Sequence, residues 1–153
     1  MKAITTGAAI CIVVTSILAF SSPSLAASDE EIAHSGDLMS TAFECLTYAR
    51  MSHDYKEEDR LFLIGLKAGR DFYEGIKSRN DPALGEVLIE FLRKTSTDFM
   101  VGLTYDNETK EARDKIVKYD DGRLREPSQW LDPPEAKLEA ERSYRKSNCS
   151  LIK

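Results

Sequence analysis

The sequence has few of the residues on which metal and nucleophile chemistry depends. Its only histidines are His34 and His53, and neither lies in an HExxH or HxxxH arrangement. The acidic runs at Asp54 and Asp120 lack the alternating ligands and terminal glutamate of a calcium loop. No G-x-S-x-G elbow, G-x-G-x-x-G turn or P-loop is present. We therefore predict no metal, no cofactor and no catalytic residue.

Concentrated positive charge is also missing. The chain has 26 acidic and 21 basic residues, a net charge of −5, and loss of Lys2 with the leader described below would make it −6. An acidic chain with no basic cluster is a poor match for nucleic acid and for anionic lipid. It suits a basic partner protein, whose association it would accelerate.

Residues 1–26 have the pattern of a cleavable secretory signal. Lys2 is followed by apolar or small residues over 3–20, Pro23 breaks the run, and Ser24 and Ala26 stand at the −3 and −1 positions of a cleavage site. The alternative is an uncleaved anchor, because the run is near the minimum length of a membrane span. Pro23 and the small residues favour cleavage, which leaves one domain, 27–153, exported to the periplasm or secreted, with no membrane anchor.

Two cysteines, Cys45 and Cys149, remain once Cys11 leaves with the signal. Two cysteines in an exported domain usually form one disulfide, although two separate buried thiols are the alternative. A disulfide would tie the C-terminal tail to the first helix, and the chain-entropy treatment values such a loop at roughly 4–5 kcal/mol. Cys45 as a nucleophile would require a free thiol, which an oxidising compartment disfavours.

Apolar residues recur with helical spacing along almost all of 27–153, and no segment shows a convincing strand alternation. We predict an all-α fold, an irregular bundle of four to five helices with one disulfide, in which the second and third helices are central. The first helix opens at Ser28, is interrupted at Gly36 and resumes over 37–51. The second, third and last predicted helices cover 56–77, 82–94 and 135–145, and residues 147–149 end the ordered chain.

The fourth predicted helix is capped by residues 95–98 and extends to about Val117. Its middle, 106–115, is polar all round, which indicates either an exposed extension or a kink. A turn at 120–122 and an irregular proline-rich stretch, 123–134, follow it.

Gly65, Ala68 and Gly69 lie on the predicted seam of the second helix. Two glycines one turn apart cost about 1 kcal/mol each in helix propensity. Close packing of another helix or a bulky ring is the favoured explanation, and close approach of the backbone to a ligand is the alternative.

Three further residues have two interpretations each. Asp98 is either an acid at the start of the fourth helix or half of a buried pair with an arginine such as Arg70. Trp130, in the proline-rich stretch, and Tyr105 are candidates for partner binding. A tryptophan in such a loop equally often pins the loop to its own core.

Paired carboxylates are the remaining chemical candidates. Three pairs have helical spacing: Glu57/Glu58, Asp71/Glu74 and Glu86/Glu90. A glycosidase needs two acids facing each other across a cleft, whereas a solvated helix face explains the same pattern in any acidic chain.

The sequence resembles a group of small exported bacterial proteins of unknown function. Four motifs carry this resemblance: Phe43-x-Cys45-x-x-Tyr48-Ala49, Arg60-Leu61-Phe62-x-x-Gly65-x-x-x-Gly69, Ser96-x-Asp98-Phe99-x-x-Gly102 and Asn148-Cys149. The resemblance implies a helical domain and pairing of Cys45 with Cys149, and no activity. The chain is also similar, more weakly, to periplasmic immunity proteins that neutralise secreted peptidoglycan amidases, through Phe43-x-x-Leu46-x-Tyr48 around Cys45. No partner-binding residue of that family is carried over.

These observations favour a small periplasmic protein-binding module that is not an enzyme, with a protein of the cell envelope as its partner. Its most specific form is an immunity or inhibitor protein for an envelope enzyme. A structural or chaperone-like envelope protein is the first alternative, and a small enzyme using paired carboxylates is the second.

Overall fold

A computed structural model describes residues 27–79, 85–120 and 122–153. Its helices are α1 (Asp29–Met51), α2 (Tyr55–Ser78), α3 (Glu86–Lys94), α4 (Thr97–Lys118) and α5 (Pro133–Lys146). The predicted all-α bundle with one disulfide is confirmed, with the small addition of a hairpin that the sequence did not predict. In it, β1 (Tyr119–Asp120) pairs antiparallel with β2 (Arg123–Leu124). The predicted leader and the predicted first residues of the third helix, 82–84, lie outside the described residues.

Helix α1 is continuous, so the predicted interruption at Gly36 is wrong. Ser28 and Glu31 form a reciprocal capping box at its start. The ring of Phe72 on α2 packs over Gly36, where a Cβ atom would lie 2.9 Å from the ring. The glycine is therefore explained by a close contact with α2 inside the helix.

The predicted break at residues 52–54 separates α1 from α2. His53 has a φ of 65°, and Asp54 accepts a hydrogen bond from the backbone N–H of Glu57, which caps α2. The two helices then run antiparallel, because Gly75, Gly69 and Gly65 meet successively later residues of α1.

The core lies where α1 and α2 meet α4 and α5. Its fully buried large side chains are Phe43, Leu46, Leu61, Cys45 and Cys149. A Cβ atom on Gly65 would come within 3.0 Å of three ring atoms of Phe43. A Cβ atom on Gly69 would lie 2.8 Å from both Met39 and Val101. The glycines of α2 thus let α1 and α4 approach its backbone.

Helix α3 is peripheral, so the prediction that it is central is wrong. It begins at Glu86, four residues later than predicted, because Gly85 has a φ of 73° that a helix does not accommodate. Leu92 is its single buried residue. Of its other large apolar side chains, Val87, Leu88 and Phe91 are exposed and Ile89 is partly buried.

Helix α4 continues without a break through the polar stretch at 106–115. Ala112 within that stretch is buried, and Ile116 follows it into the core one turn later. Charged and polar residues make up the rest of this segment, and Ala112 belongs to the core cluster that also holds Phe43 and Leu46 of α1.

The chain remains structured beyond residue 149, contrary to the prediction. The Cα atoms of Cys45 and Cys149, joined by the disulfide, are 5.6 Å apart, and Cys149–Leu151 form a 3₁₀ turn. Arg60 donates to the carbonyl oxygens of Ile152 and Cys149, at 2.5 and 3.2 Å. The tail is therefore held by both a covalent bond and a guanidinium.

Among the residues that the structure describes, no helix has both the length and the apolarity needed to cross a membrane.

Candidate functional site

A cleft of about 1080 Å³ lies between α4, α5 and the loop that joins them. Buried Tyr48 and Ile116 underlie it, and the hairpin residues Tyr119 and Leu124 flank it with exposed side chains. Trp130, with 43 % of its surface exposed, is the largest side chain of the lining. Concave surfaces with apolar groups and a few polar ones are the usual form of a binding site.

The proline-rich loop holds Trp130 in place. Its indole Nε1 donates to the carbonyl oxygen of Arg125 at 3.3 Å, and the Lys118 ammonium lies 5.1 Å from the ring centroid. The backbone N–H of Leu131 donates to the carbonyl oxygen of Val117, which fixes the loop to the end of α4. Trp130 is thus oriented but not buried, and it does not plug the core.

Ion pairs engage most charges of the cleft. Lys118 pairs with Asp114 at 2.9 Å and Arg125 with Asp120 at 3.7 Å. Lys115 reaches across to Glu44 of α1 at 3.1 Å. The ends of α4 and the hairpin are therefore held in a defined arrangement around Trp130.

Glu44, which pairs with Lys115 of the cleft lining, also bonds to the buried Tyr48. The Tyr48 hydroxyl donates to its Oε1 atom at 2.6 Å. Burial, together with the Glu44 carboxylate, raises the pKa of Tyr48 well above its usual value. Tyr48 therefore stays protonated in the physiological range and serves as a fixed donor, not as a base.

Tyr105, the second predicted partner-binding residue, lies away from the cleft. Its ring makes edge contacts with Phe43 at 5.2 Å and Phe62 at 5.9 Å between centroids. Its hydroxyl accepts a hydrogen bond from Arg50 at 2.6 Å. Tyr105 is partly buried, and its contacts connect α4 to α1 and α2. The structure does not bring it together with Trp130.

Asp98 pairs with Arg70, the arginine named from the sequence, at 2.7 Å. Both side chains are more than half exposed, at 66 % and 52 %, so the expectation of a buried pair is wrong. Asp98 also lies in the first turn of α4, where an acid favours the positive helix end. The Arg70 guanidinium holds the pKa of the Asp98 carboxyl below its usual value.

Gly65, Ala68 and Gly69 are buried in the α1–α2–α4 seam, with α1 and α4 side chains over the two glycines. A ligand at the backbone would have to displace Phe43 or Met39. The geometry therefore fits the packing explanation and offers no ligand site there.

The three carboxylate pairs named from the sequence are largely engaged with cations. Glu57 pairs with Arg60, Asp71 with Lys67 and Glu90 with Lys94. The Arg60 and Tyr144 hydrogen bonds lower the pKa of Glu57. Each pair lies along a single helix, so its two carboxylates do not face each other across a cleft.

No group of three or more metal-ligating side chains occurs among the residues described. His34 is exposed, and the His53 ring stacks with Tyr55 at 6.2 Å between centroids. His34 lies in the second turn of α1, and His53 lies in the turn that follows its other end.

A second surface feature is the apolar face of α3, formed by Val87, Leu88 and Phe91. Its residues are 85 %, 44 % and 50 % exposed, respectively. Exposed apolar groups of this size on a short amphipathic helix are typical of surfaces that meet another molecule.

Sequence reasoning found Trp130 but missed the cleft. Lys110 and Lys146, which line it from α4 and α5, lie 36 positions apart in the chain. No local pattern connects them, because only the return of the chain after the hairpin brings the two helices together. The proline-rich segment between the helices is the one signal that could have suggested such a loop.

None of the family models, curated proteins or solved structures compared with this chain matches it.

Proposed function

We propose that this protein is an exported protein-binding module of the cell envelope, whose most specific form is an immunity or inhibitor protein for an envelope enzyme. The observation that carries the proposal is the cleft with Trp130 oriented and 43 % exposed at one end. Tryptophan is among the residues that dominate binding energy at protein interfaces. A loop that holds the ring before binding reduces the ordering cost of association.

The net acidity of the chain supports the same proposal. A negative surface accelerates the approach of a basic partner and weakens binding to nucleic acid. A small enzyme using paired carboxylates has less support. Within the cleft, Asp114 and Asp120 are paired with cations of the lining and Glu139 pairs with Arg142. Among the acidic residues of the described lining, Glu111 alone then has no ion pair. The described part of the cleft therefore offers no pair of free carboxylates.

A structural or chaperone-like role is the second candidate, because of the α3 apolar face. Val87, Leu88 and Phe91 offer an uncovered apolar strip that unfolded clients would bind without sequence preference. This hypothesis uses a different surface from the cleft, so the two are separable by mutation.

A crosslinking pull-down of the tagged protein from the periplasm, read by mass spectrometry, tests the proposal. Three variants accompany the wild type: Trp130→Ala, Phe91→Ser and, as a control, Tyr55→Ala, which removes an exposed aromatic ring outside the cleft. We expect one stoichiometric envelope protein, retained by Phe91→Ser and Tyr55→Ala and lost with Trp130→Ala. If that protein is an enzyme, inhibition by the purified wild type would establish the immunity form.

Many substoichiometric clients that disappear with Phe91→Ser would instead indicate the chaperone-like role. The absence of any specific partner would contradict both. Equal thermal midpoints of the variants are required before either result is interpreted.

A further inference from the structure

We infer that the cleft binds an extended acidic segment of the partner protein, with side-chain carboxylates at Lys110 and Lys146 and an apolar side chain against Trp130. This inference deepens the proposed function and rests on it. Its first support is a local reversal of charge. Among the residues that the structure describes, the cleft lining contains five cationic and four acidic ones, whereas the whole chain has a net charge of −5.

The lining charges that have no ion pair lie on α4 and α5. Asp114 and Asp120 are neutralised within the lining, and Lys115 and Glu139 pair with residues outside it. Within the described part of the lining, the three charged residues that form no ion pair are Lys110, Glu111 and Lys146. The first two lie on α4 and the third on the last turn of α5.

The aromatic end of the cleft lies where α4 ends. The backbone of Leu131 is bonded to Val117, so the loop that leads into α5 lies beside the end of α4, and Glu139, Ser143 and Lys146 of α5 line the cleft. Lys118 marks the aromatic end, since its ammonium lies over Trp130. Lys110 precedes it by eight residues, which is about 12 Å along a helix.

That separation sets the spacing of the ligand. An extended chain advances roughly 3.3 Å per residue, so about four residues separate a carboxylate at Lys110 from an apolar side chain at Trp130. An extended peptide with both groups at this spacing would therefore place a carboxylate at Lys110 and an apolar side chain at Trp130.

Recognition by lysine side chains favours side-chain carboxylates of the bound peptide over its terminal carboxylate. Terminal carboxylates are usually captured by free backbone N–H groups. At Lys110 and Lys146 the backbone is helical and its N–H groups are already bonded within α4 and α5. Recognition is therefore by two exposed ammonium groups, which can bind carboxylates in many orientations.

Glu111 is the feature that makes the inference specific. It is the unpaired carboxylate beside Lys110, and it opposes an incoming anion. Removing its charge should strengthen binding of an acidic peptide, an effect that a purely structural role for Glu111 would not produce.

The test uses protein produced from the full-length sequence and purified in the form that accumulates. Its probes are short peptides with both termini blocked. Each contains two adjacent glutamates, then two small residues, then a leucine and a phenylalanine. Both chain directions are used, and matched peptides have glutamine in place of glutamate. Trp130 is the only tryptophan, so its fluorescence reports on this cleft alone, and its indole N–H signal confirms binding by NMR.

We expect saturable binding of one of the glutamate peptides, with the glutamine peptide at least about fivefold weaker at low salt. The double variant Lys110→Gln/Lys146→Gln should lose about fivefold in affinity, and Glu111→Gln should gain about twofold. The control Lys56→Gln/Lys153→Gln makes the same change in net charge at exposed lysines outside the cleft. It should change the affinity by less than about twofold.

The inference is overturned if the glutamate peptide binds in neither chain direction with a Kd below about 1 mM, which corresponds to a binding free energy of about 4 kcal/mol. It is also overturned if the glutamine and glutamate peptides bind equally. Equal losses in the two double variants would overturn it as well, since the effect would then reflect net charge alone. Failure of the proposed function gives a different result, because the pull-down then captures no specific protein. If only this inference fails, the pull-down still captures the partner, and substitution of Lys110 and Lys146 does not change that capture.

Discussion

The seam between α1 and α2 and the helix α3 have the same apolar periodicity, but the seam is buried and the apolar face of α3 is exposed. On the seam, Gly65 and Gly69 remove side-chain volume, so that Phe43 and Met39 reach the backbone of α2. On α3, Val87 and Phe91 stay exposed, and Leu92 alone is buried. An apolar stripe therefore identifies a face of a helix, and close backbone approach decides whether that face is covered inside the chain.

The largest expected loss of stability is in the buried part of the molecule. Cys149→Ser removes a bond across a sequence separation of 104 residues. We expect a loss of about 4 kcal/mol in the free energy of unfolding, because the unfolded chain gains entropy. Urea titration measures it, and amide exchange should show α5 opening more often. Equal melting temperatures for oxidised and reduced wild type would contradict this prediction.

Gly65→Leu should be the next most damaging change. The new side chain would overlap the ring of Phe43, and we expect a loss of about 3 kcal/mol in the free energy of unfolding. Guanidinium titration gives the value.

Two glycines outside the seam serve as controls for Gly65→Leu. Gly122→Ala should cost about 1 kcal/mol, because the φ of Gly122 is 77°. Gly102→Ala should be neutral or stabilising by up to about 1 kcal/mol, since a Cβ atom there meets nothing within 4 Å in a helix. A larger loss for Gly122→Ala than for Gly65→Leu would mean that the seam is not closely packed.

A smaller effect is expected where the tail meets α2. Glu57 accepts hydrogen bonds from Arg60 at 2.7 Å and from the Tyr144 hydroxyl at 2.5 Å. Glu57→Gln should cost about 1.5 kcal/mol at pH 7, the range of hydrogen bonds to a charged group. Thermal unfolding measures the loss, with Glu86→Gln on exposed α3 as a control.

The pH dependence of this loss has a defined sign. The hydrogen bonds lower the pKa of folded Glu57, so the unfolded state binds the proton more tightly. The stabilisation is complete above the unfolded pKa of about 4.3 and disappears as the pH falls through the folded pKa. Wild type and Glu57→Gln should therefore converge in strong acid. A constant difference down to the lowest pH would contradict the assignment.

The smallest effect is expected on α3. Phe91→Ser should change the free energy of unfolding by less than about 0.5 kcal/mol, because the ring is half exposed and little is lost from the core. Leu92→Ala, one residue later, should cost about 2 kcal/mol because Leu92 is 6 % exposed. Chemical denaturation of both variants compares them. Similar losses at the two positions would mean that something in the chain covers the apolar face.

Much of the fold could be predicted from local signals. The caps at Ser28 and Asp54 and the position of the break after α1 follow from short-range hydrogen bonds that involve neighbouring residues only. The predicted bounds of α2 and α5 differ from the observed ones by one or two residues. Gly36 was misjudged because glycine lowers helix propensity locally, and the ring of Phe72, which explains it, comes from α2.

The candidate site could be predicted only in part. Trp130 stood out because it is the single tryptophan and lies among prolines. Lys110, Glu111 and Lys146 had no local signal, since surface helices carry such charges everywhere. Their importance depends on which of their neighbours are already paired, and that is a property of the folded surface.

The sequence by itself determined the helical class, because backbone hydrogen bonding and apolar periodicity are short-range properties. It favoured a bond between Cys45 and Cys149 because these are the only two cysteines of 27–153. Only the tertiary structure decided that α3 lies outside, that the Asp98 pair is exposed and that a cleft forms around Trp130. These outcomes depend on how closely two helices approach and on what the chain places opposite each side chain. Volume and distance decide both, and neither is present in a one-dimensional pattern.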